Sequence, residues 1–143
     1  MIPCDILFVA DPPTMGDYAL KKAISGEAWK ILVRIVHAVD SRLTFMVTNA
    51  LSCTPFEDGN RAELATPKKE YLRNCTVHLN KVIEQSDPIV IIAMGKHAQT
   101  SLKLLHVEHE VIVSPLSIAK QGEHGRADFV RATHVLRKYF DER

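Results

Sequence analysis

Apolar residues fall along this chain in two alternating patterns. Four runs carry apolar or β-branched side chains with little polar alternation: residues 6–9, 45–48, 89–94 and 111–113. Such runs are what strands covered on both faces look like. The segments between them show helical spacing instead. Ser25 can cap a helix from Gly26, with Ala28, Trp29, Leu32 and Val36 repeating at helical intervals. Thr66-Pro67 is an N-cap followed by an N1 proline, opening a helix with Leu72, Cys75, Leu79, Val82 and Ile83 on one face. Ser86-Asp87-Pro88 stops it. Gly95-Lys96-His97 turns the third run into a helix carrying Ala98, Leu102 and Leu105, and Ala127 to Phe140 reads as a closing helix. Its expected buried face is Val130, Val135, Leu136 and Tyr139. Two stretches read as polar loops: Ser52 to Ala65, with the turn signal Asp58-Gly59-Asn60, and the segment after the fourth run.

The order β-α-β-α-β-α-β-α with right-handed crossovers predicts an α/β protein: a three-layer α/β/α sandwich around a four-stranded parallel sheet. At 143 residues, without repeats or a linker-like segment, the expectation is a single domain over 1–143. Hydrophobic residues make up 46% and charged residues 24%, an ordinary globular balance. The net charge of +1 excludes a global field drawing the protein onto nucleic acid, so such contact needs a local basic patch. No apolar run approaches the ~20 residues of a spanning helix, and no secretory signal is visible. Cys4, Cys53 and Cys75 are odd in number and widely spaced, as expected of reduced thiols. The expectation is an intracellular, cytoplasmic protein without membrane contact.

Candidate chemistry lies where the runs end. Asp11-Pro12-Pro13 follows the first, Asn49 the second, and Ser114-Pro115-Leu116-Ser117 the fourth. In open α/β sheets, ligands bind outside the carboxyl ends of the strands. Asp11 can activate water or stabilise a developing cation; equally, it can cap its loop by accepting backbone N–H groups. The Asn49 amide sets a donor beside an acceptor, which suits the Watson–Crick edge of a base, and it also suits an Asx turn or helix cap. The hydroxyls and amides of Ser114 to Ser117 can grip a phosphate or form a plain turn. Gly95-Lys96-His97 lacks the spacing of a P-loop. His106, Glu108 and His109 lack the spacing of a helical zinc pair, and the cysteines contain no C-x-x-C.

Taken together, these segments resemble the uracil-DNA glycosylase superfamily over nearly the whole chain. Val9-Ala10-Asp11-Pro12-Pro13 is similar to its water-activating first motif, with Asp11 in the carboxylate position. Ser25-Gly26-Glu27-Ala28-Trp29-Lys30-Ile31-Leu32 resembles a helix start of its iron–sulfur branch. Thr48-Asn49-Ala50-Leu51-Ser52-Cys53-Thr54-Pro55, extended by Asn60-Arg61, resembles the segment holding the base-reading Asn. Ile91 to Gln99 is similar to the third strand. Val113-Ser114-Pro115-Leu116-Ser117 resembles the tail of the His-Pro-Ser-Pro-Leu-Ser loop that enters the minor groove.

The resemblance implies a protein that flips a base from DNA, reads it with Asn49 and positions water with Asp11. It places the base-facing motif His at Ile112 and the base-stacking Phe at Ile24, with Tyr18 a possible substitute. Losing one oxyanion donor costs about 10²–10³ in rate, so excision of ordinary uracil is expected to be weak or absent. Ser114, Pro115, Leu116, Ser117, Lys120, Arg126 and Arg131 are the expected DNA contacts. Only Cys53 and Cys75 echo the cluster ligands, so no cofactor is expected. Two readings follow: a glycosylase for uracil or a modified pyrimidine, or an impaired relative acting as a DNA-binding or protein-binding accessory in replication or repair. Asp11 and Asn49 favour the first, and Ile112 and Ile24 the second. A small nucleotide-binding protein is a third, disfavoured by the lack of a Gly-rich fingerprint.

Overall fold

A computed structural model describes residues 3–10, 26–49, 56–57, 60–64 and 69–140, with backbone only at 56–57, 60–64, 69–77, 116 and 123–124. Four strands, β1 (Ile6–Ala10), β2 (Phe45–Asn49), β5 (Val90–Met94) and β6 (Glu110–Val111), form one parallel sheet in the order β2-β1-β5-β6. Its helices are α1 (Gly26–Val39), α2 (Lys69–Ser86), α3 (Lys96–Leu104), α4 (Pro115–Gln121) and α5 (Arg126–Phe140). A 3-10 turn, Gly122–Gly125, joins the last two.

The apolar runs explain the layering. β1 is buried along its whole length, and its side chains alternate between two cores. Ile6, Phe8 and Ala10 meet Leu32, Ile35 and Val36 of α1, Ile118 of α4, and Ala132, Leu136 and Phe140 of α5. Leu7 and Val9 meet Leu79 and Val82 of α2 and Ala98 and Leu102 of α3. Period-two side chains on a doubly covered strand divide in this way. The sheet thus lies between α1, α4 and α5 on one face and α2 and α3 on the other, as the alternating pattern predicts.

At the amino edge, the Asp5 carboxylate accepts from the Thr44 N–H at 2.9 Å and from its hydroxyl at 3.3 Å, pinning the start of β1 to β2. The Ser86 hydroxyl turns back on the Val82 carbonyl at 2.6 Å where α2 stops. Trp29 is half exposed but stacks on Phe45 with ring centroids 5.4 Å apart, so its place in the apolar pattern of α1 reflects the rim of the core.

Four details depart from the sequence reading. The fourth strand is Glu110–Val111 rather than 111–113, although the Ile112 N–H still reaches the Ala93 carbonyl at 3.0 Å. Part of the stretch from Ser52 to Ala65 is an antiparallel pair, β3 (Phe56–Glu57) with β4 (Asn60–Leu64). The segment after Ser114 is helical, because Pro115 takes the N1 position where its fixed φ and missing N–H suit a helix. On α5 the buried residues are Ala132, Thr133, Leu136 and Phe140, while Val130 and Tyr139 are exposed. The proposed caps Ser25 and Thr66-Pro67 lie outside the described residues.

Candidate active site at the carboxyl edge of the sheet

The connections give the sheet a switch point. From β1 the chain crosses to β2 through α1 on one face; from β5 it crosses to β6 through α3 on the other. The two crossovers leave in opposite directions from adjacent strands, so the switch point falls between the carboxyl ends of β1 and β5. That is where open α/β sheets hold ligands.

Register fixes what stands there. Ala10 pairs with Asn49 on one side and Met94 on the other, so the last residues of β2, β1 and β5 lie level at the same edge. Neighbouring strands are ~4.8 Å apart, which sets the Asn49 backbone one strand from Ala10. Asn49 is half-buried. Asp11, covalently next to Ala10, lies outside the described residues, as do Tyr18 and Ile24. Gly95 follows Met94 with φ 140° and ψ 171°, a conformation essentially reserved for glycine. It releases the chain into α3, bringing Lys96 and His97 to this edge.

The fourth candidate segment divides. Ser114 is half-buried and precedes α4; its carbonyl accepts from the Ile118 N–H at 3.1 Å, and its side chain makes no cap hydrogen bond. Pro115 is buried, so its contribution is to start the helix rather than to touch a ligand. Ser117, Lys120 and Arg126 are exposed; the Leu116 side chain lies outside the description. Arg131 is also exposed and pairs with Asp128 at 3.1 Å. Ile112, which the resemblance sets at the base-facing position, follows β6 directly. At 7% exposure its side chain packs in the core shared with Met94 and Ile118, and it also borders the cleft past β6.

Sequence reasoning missed the cleft beside these residues. A hollow of about 360 Å³ lies past β6, between Gly95 and Gln99, the segment Val111 to Ser114, and Asp128, Arg131, Ala132 and Val135 of α5. Its components come from three separate segments between Gly95 and Val135, and only tertiary packing brings them together.

The cysteines do not fit an iron–sulfur cluster. Cys4 is buried at the amino edge, where its thiol donates to the Ile6 carbonyl at 3.2 Å. Burial, reinforced by Asp5, pushes that thiol above its usual range, the opposite of what a thiolate ligand needs. The remaining pair, Cys53 and Cys75, supplies two of the four thiolates such a cluster takes.

An open parallel sheet covered on both faces, with a switch point between β1 and β5, defines a doubly wound α/β protein. The chain belongs to the uracil DNA glycosylase superfamily, whose family model matches residues 4–136. It is similar to a Type-4 uracil-DNA glycosylase of Saccharolobus solfataricus (strain ATCC 35092 / DSM 1617 / JCM 11322 / P2), at 28% identity over 111 residues. That alignment covers 76% of this chain and 49% of the relative, so the chain spans about half the length of the curated protein it matches.

Proposed function

We propose that this chain binds DNA across the carboxyl edge of its sheet and hydrolyses the N-glycosidic bond of uracil or a modified pyrimidine flipped into the crevice. The observation that carries this reading is the register that sets Asn49 level with Ala10, the residue before Asp11, at the switch point of a superfamily fold. In the reaction, the electron pair of the breaking C1′–N bond goes to the base while positive charge gathers on the sugar. The Asp11 carboxylate offsets that charge and orients a water, whose oxygen bonds to C1′ and whose proton ends on the departing base. The Asn49 amide reads the Watson–Crick edge. Ser114, Ser117, Lys120 and Arg126 hold phosphates flanking the target.

The second reading, an impaired relative that binds DNA or a repair or replication protein without excision, is favoured by one observation. Ile112 is an apolar core residue where the superfamily motif carries a donor. The test is cleavage of a single-uracil oligonucleotide after alkali, with modified pyrimidines alongside, by wild type and Asp11→Asn. Excision that falls at least ~100-fold in Asp11→Asn supports the enzyme. Excision indifferent to that change refutes the mechanism, and DNA binding without excision on any base moves the protein to the accessory reading.

A further inference from the structure

We infer that the cleft beyond β6 is a subsite for the nucleobase next to the target, and that it gives the protein a sequence-context preference. The inference rests on the DNA reading above. The cleft opens at the same carboxyl edge as the crevice, two strands from β1 and so ~10 Å away. That is within reach of the neighbouring nucleotide of one strand. Its walls are what a base face requires. Val111 and Val113, 45% and 40% exposed, leave apolar surface uncovered beside Ala132 and Val135. Covering that surface with a flat ring removes it from water.

The polar groups are few and of complementary kind. Asp128 accepts only and Arg131 donates only. Their single bond of 3.1 Å leaves the second carboxylate oxygen and most guanidinium N–H groups available. Gln99, whose side-chain amide makes no hydrogen bond among the described residues, offers one of each from the opposite wall. Guanine presents acceptors at O6 and N7 and donors at N1 and N2, so it can use both members of the Asp128–Arg131 pair. Thymine presents one donor. The arrangement therefore favours a guanine neighbour over thymine.

The test uses single-stranded oligonucleotides with a tetrahydrofuran abasic analogue at the target position. Each of the four bases is placed in turn on its 5′ and then its 3′ side, and binding is followed by fluorescence anisotropy. Guanine on one side is expected to bind about tenfold tighter than thymine, within the range of one hydrogen-bonded base contact. Gln99→Ala and Val113→Trp, which respectively remove a polar group and fill the cleft, are expected to flatten that preference. Average affinity over the four sequences should stay within about twofold. Thermal melts confirm that both variants fold. Binding that is tight but indifferent to the neighbour, or a preference unchanged in both variants, overturns the subsite and leaves the DNA reading standing. No binding to any of these oligonucleotides overturns both.

Discussion

Replacing Gly95 by alanine tests how the site edge is built. Gly95 joins the buried strand β5 to α3 at φ 140° and ψ 171°. A Cβ in that region costs about 1–3 kcal/mol of backbone strain. Alanine returns about 0.4–1 kcal/mol by restricting the unfolded chain, so the net loss is about 1–2 kcal/mol. For a chain of this length, 1 kcal/mol corresponds to about 3–5 °C, giving a melting temperature lower by about 3–10 °C. The alternative to strain is that residue 95 relaxes toward negative φ. That would swing Lys96 and the first turn of α3 away from Met94 and Ala10, and loosen the hydrogen bond from the Gln99 N–H to the Gly95 carbonyl at 3.2 Å. Either way, DNA affinity falls with stability. Urea unfolding by circular dichroism gives the first quantity and anisotropy on an abasic duplex the second. A Gly95→Ala protein as stable as wild type, with unchanged DNA binding, would refute the claim that this glycine sets the geometry of the edge.

Two further outcomes follow from the packing. Ile112→His, the change that would restore the superfamily's motif side chain, is expected to destabilise by about 1–3 kcal/mol, because it buries an imidazole in an apolar core. Without movement of the backbone it should not raise excision; a variant with native stability and increased activity would show that residue 112 faces the crevice. The Tyr139 hydroxyl donates to the Glu110 carboxylate at 2.9 Å, and that bond, with burial second, holds the phenol above its ordinary 10. The folded state then keeps its proton longer than the unfolded chain. The contribution is full below about pH 10 and is lost as pH climbs through the raised value. Stability measured from pH 8 to 11 should lose part of its alkaline slope in Tyr139→Phe, and an identical slope in both proteins would contradict the assignment.

How far the sequence could be read depended on the kind of signal. β1 and β5 were legible because doubly covered strands must be apolar throughout, and Ile89 to Met94 admits no other reading. Breakers marked the helix ends: α2 stops at Ser86, before Asp87 and Pro88. The β3–β4 pair was hidden because its strands are short and mix Phe56, Ala62 and Leu64 with charged and polar residues, and only Asp58-Gly59 announced a turn. α4 was hidden because Ser-Pro-Leu-Ser has the composition of a loop, although proline at N1 is also a helix start. On α5, Val130 and Tyr139 are more apolar than Ala132 and Thr133, yet the smaller pair is the one buried, a choice set by tertiary packing that the local pattern does not carry. The same limit applied to the site. Asn49 could be placed at the sheet edge because it directly ends a strand. The partnership of Gln99 with Asp128 and Arg131 depends on tertiary register, which no local pattern encodes.

On the proposed function, the carboxyl edge of the sheet, at the switch point between β1 and β5, is the DNA-binding surface. Hydrogen exchange of the protein with and without a duplex carrying a non-cleavable abasic analogue tests this directly. DNA seated on the carboxyl edge adds protection at the amides of Ala10, Asn49, Gly95 to His97, Ser114, Leu116 and Ser117, with none at the amino edge around Asp5, Thr44 and Ile89. Protection confined to the amino edge, or spread evenly over both, would contradict it.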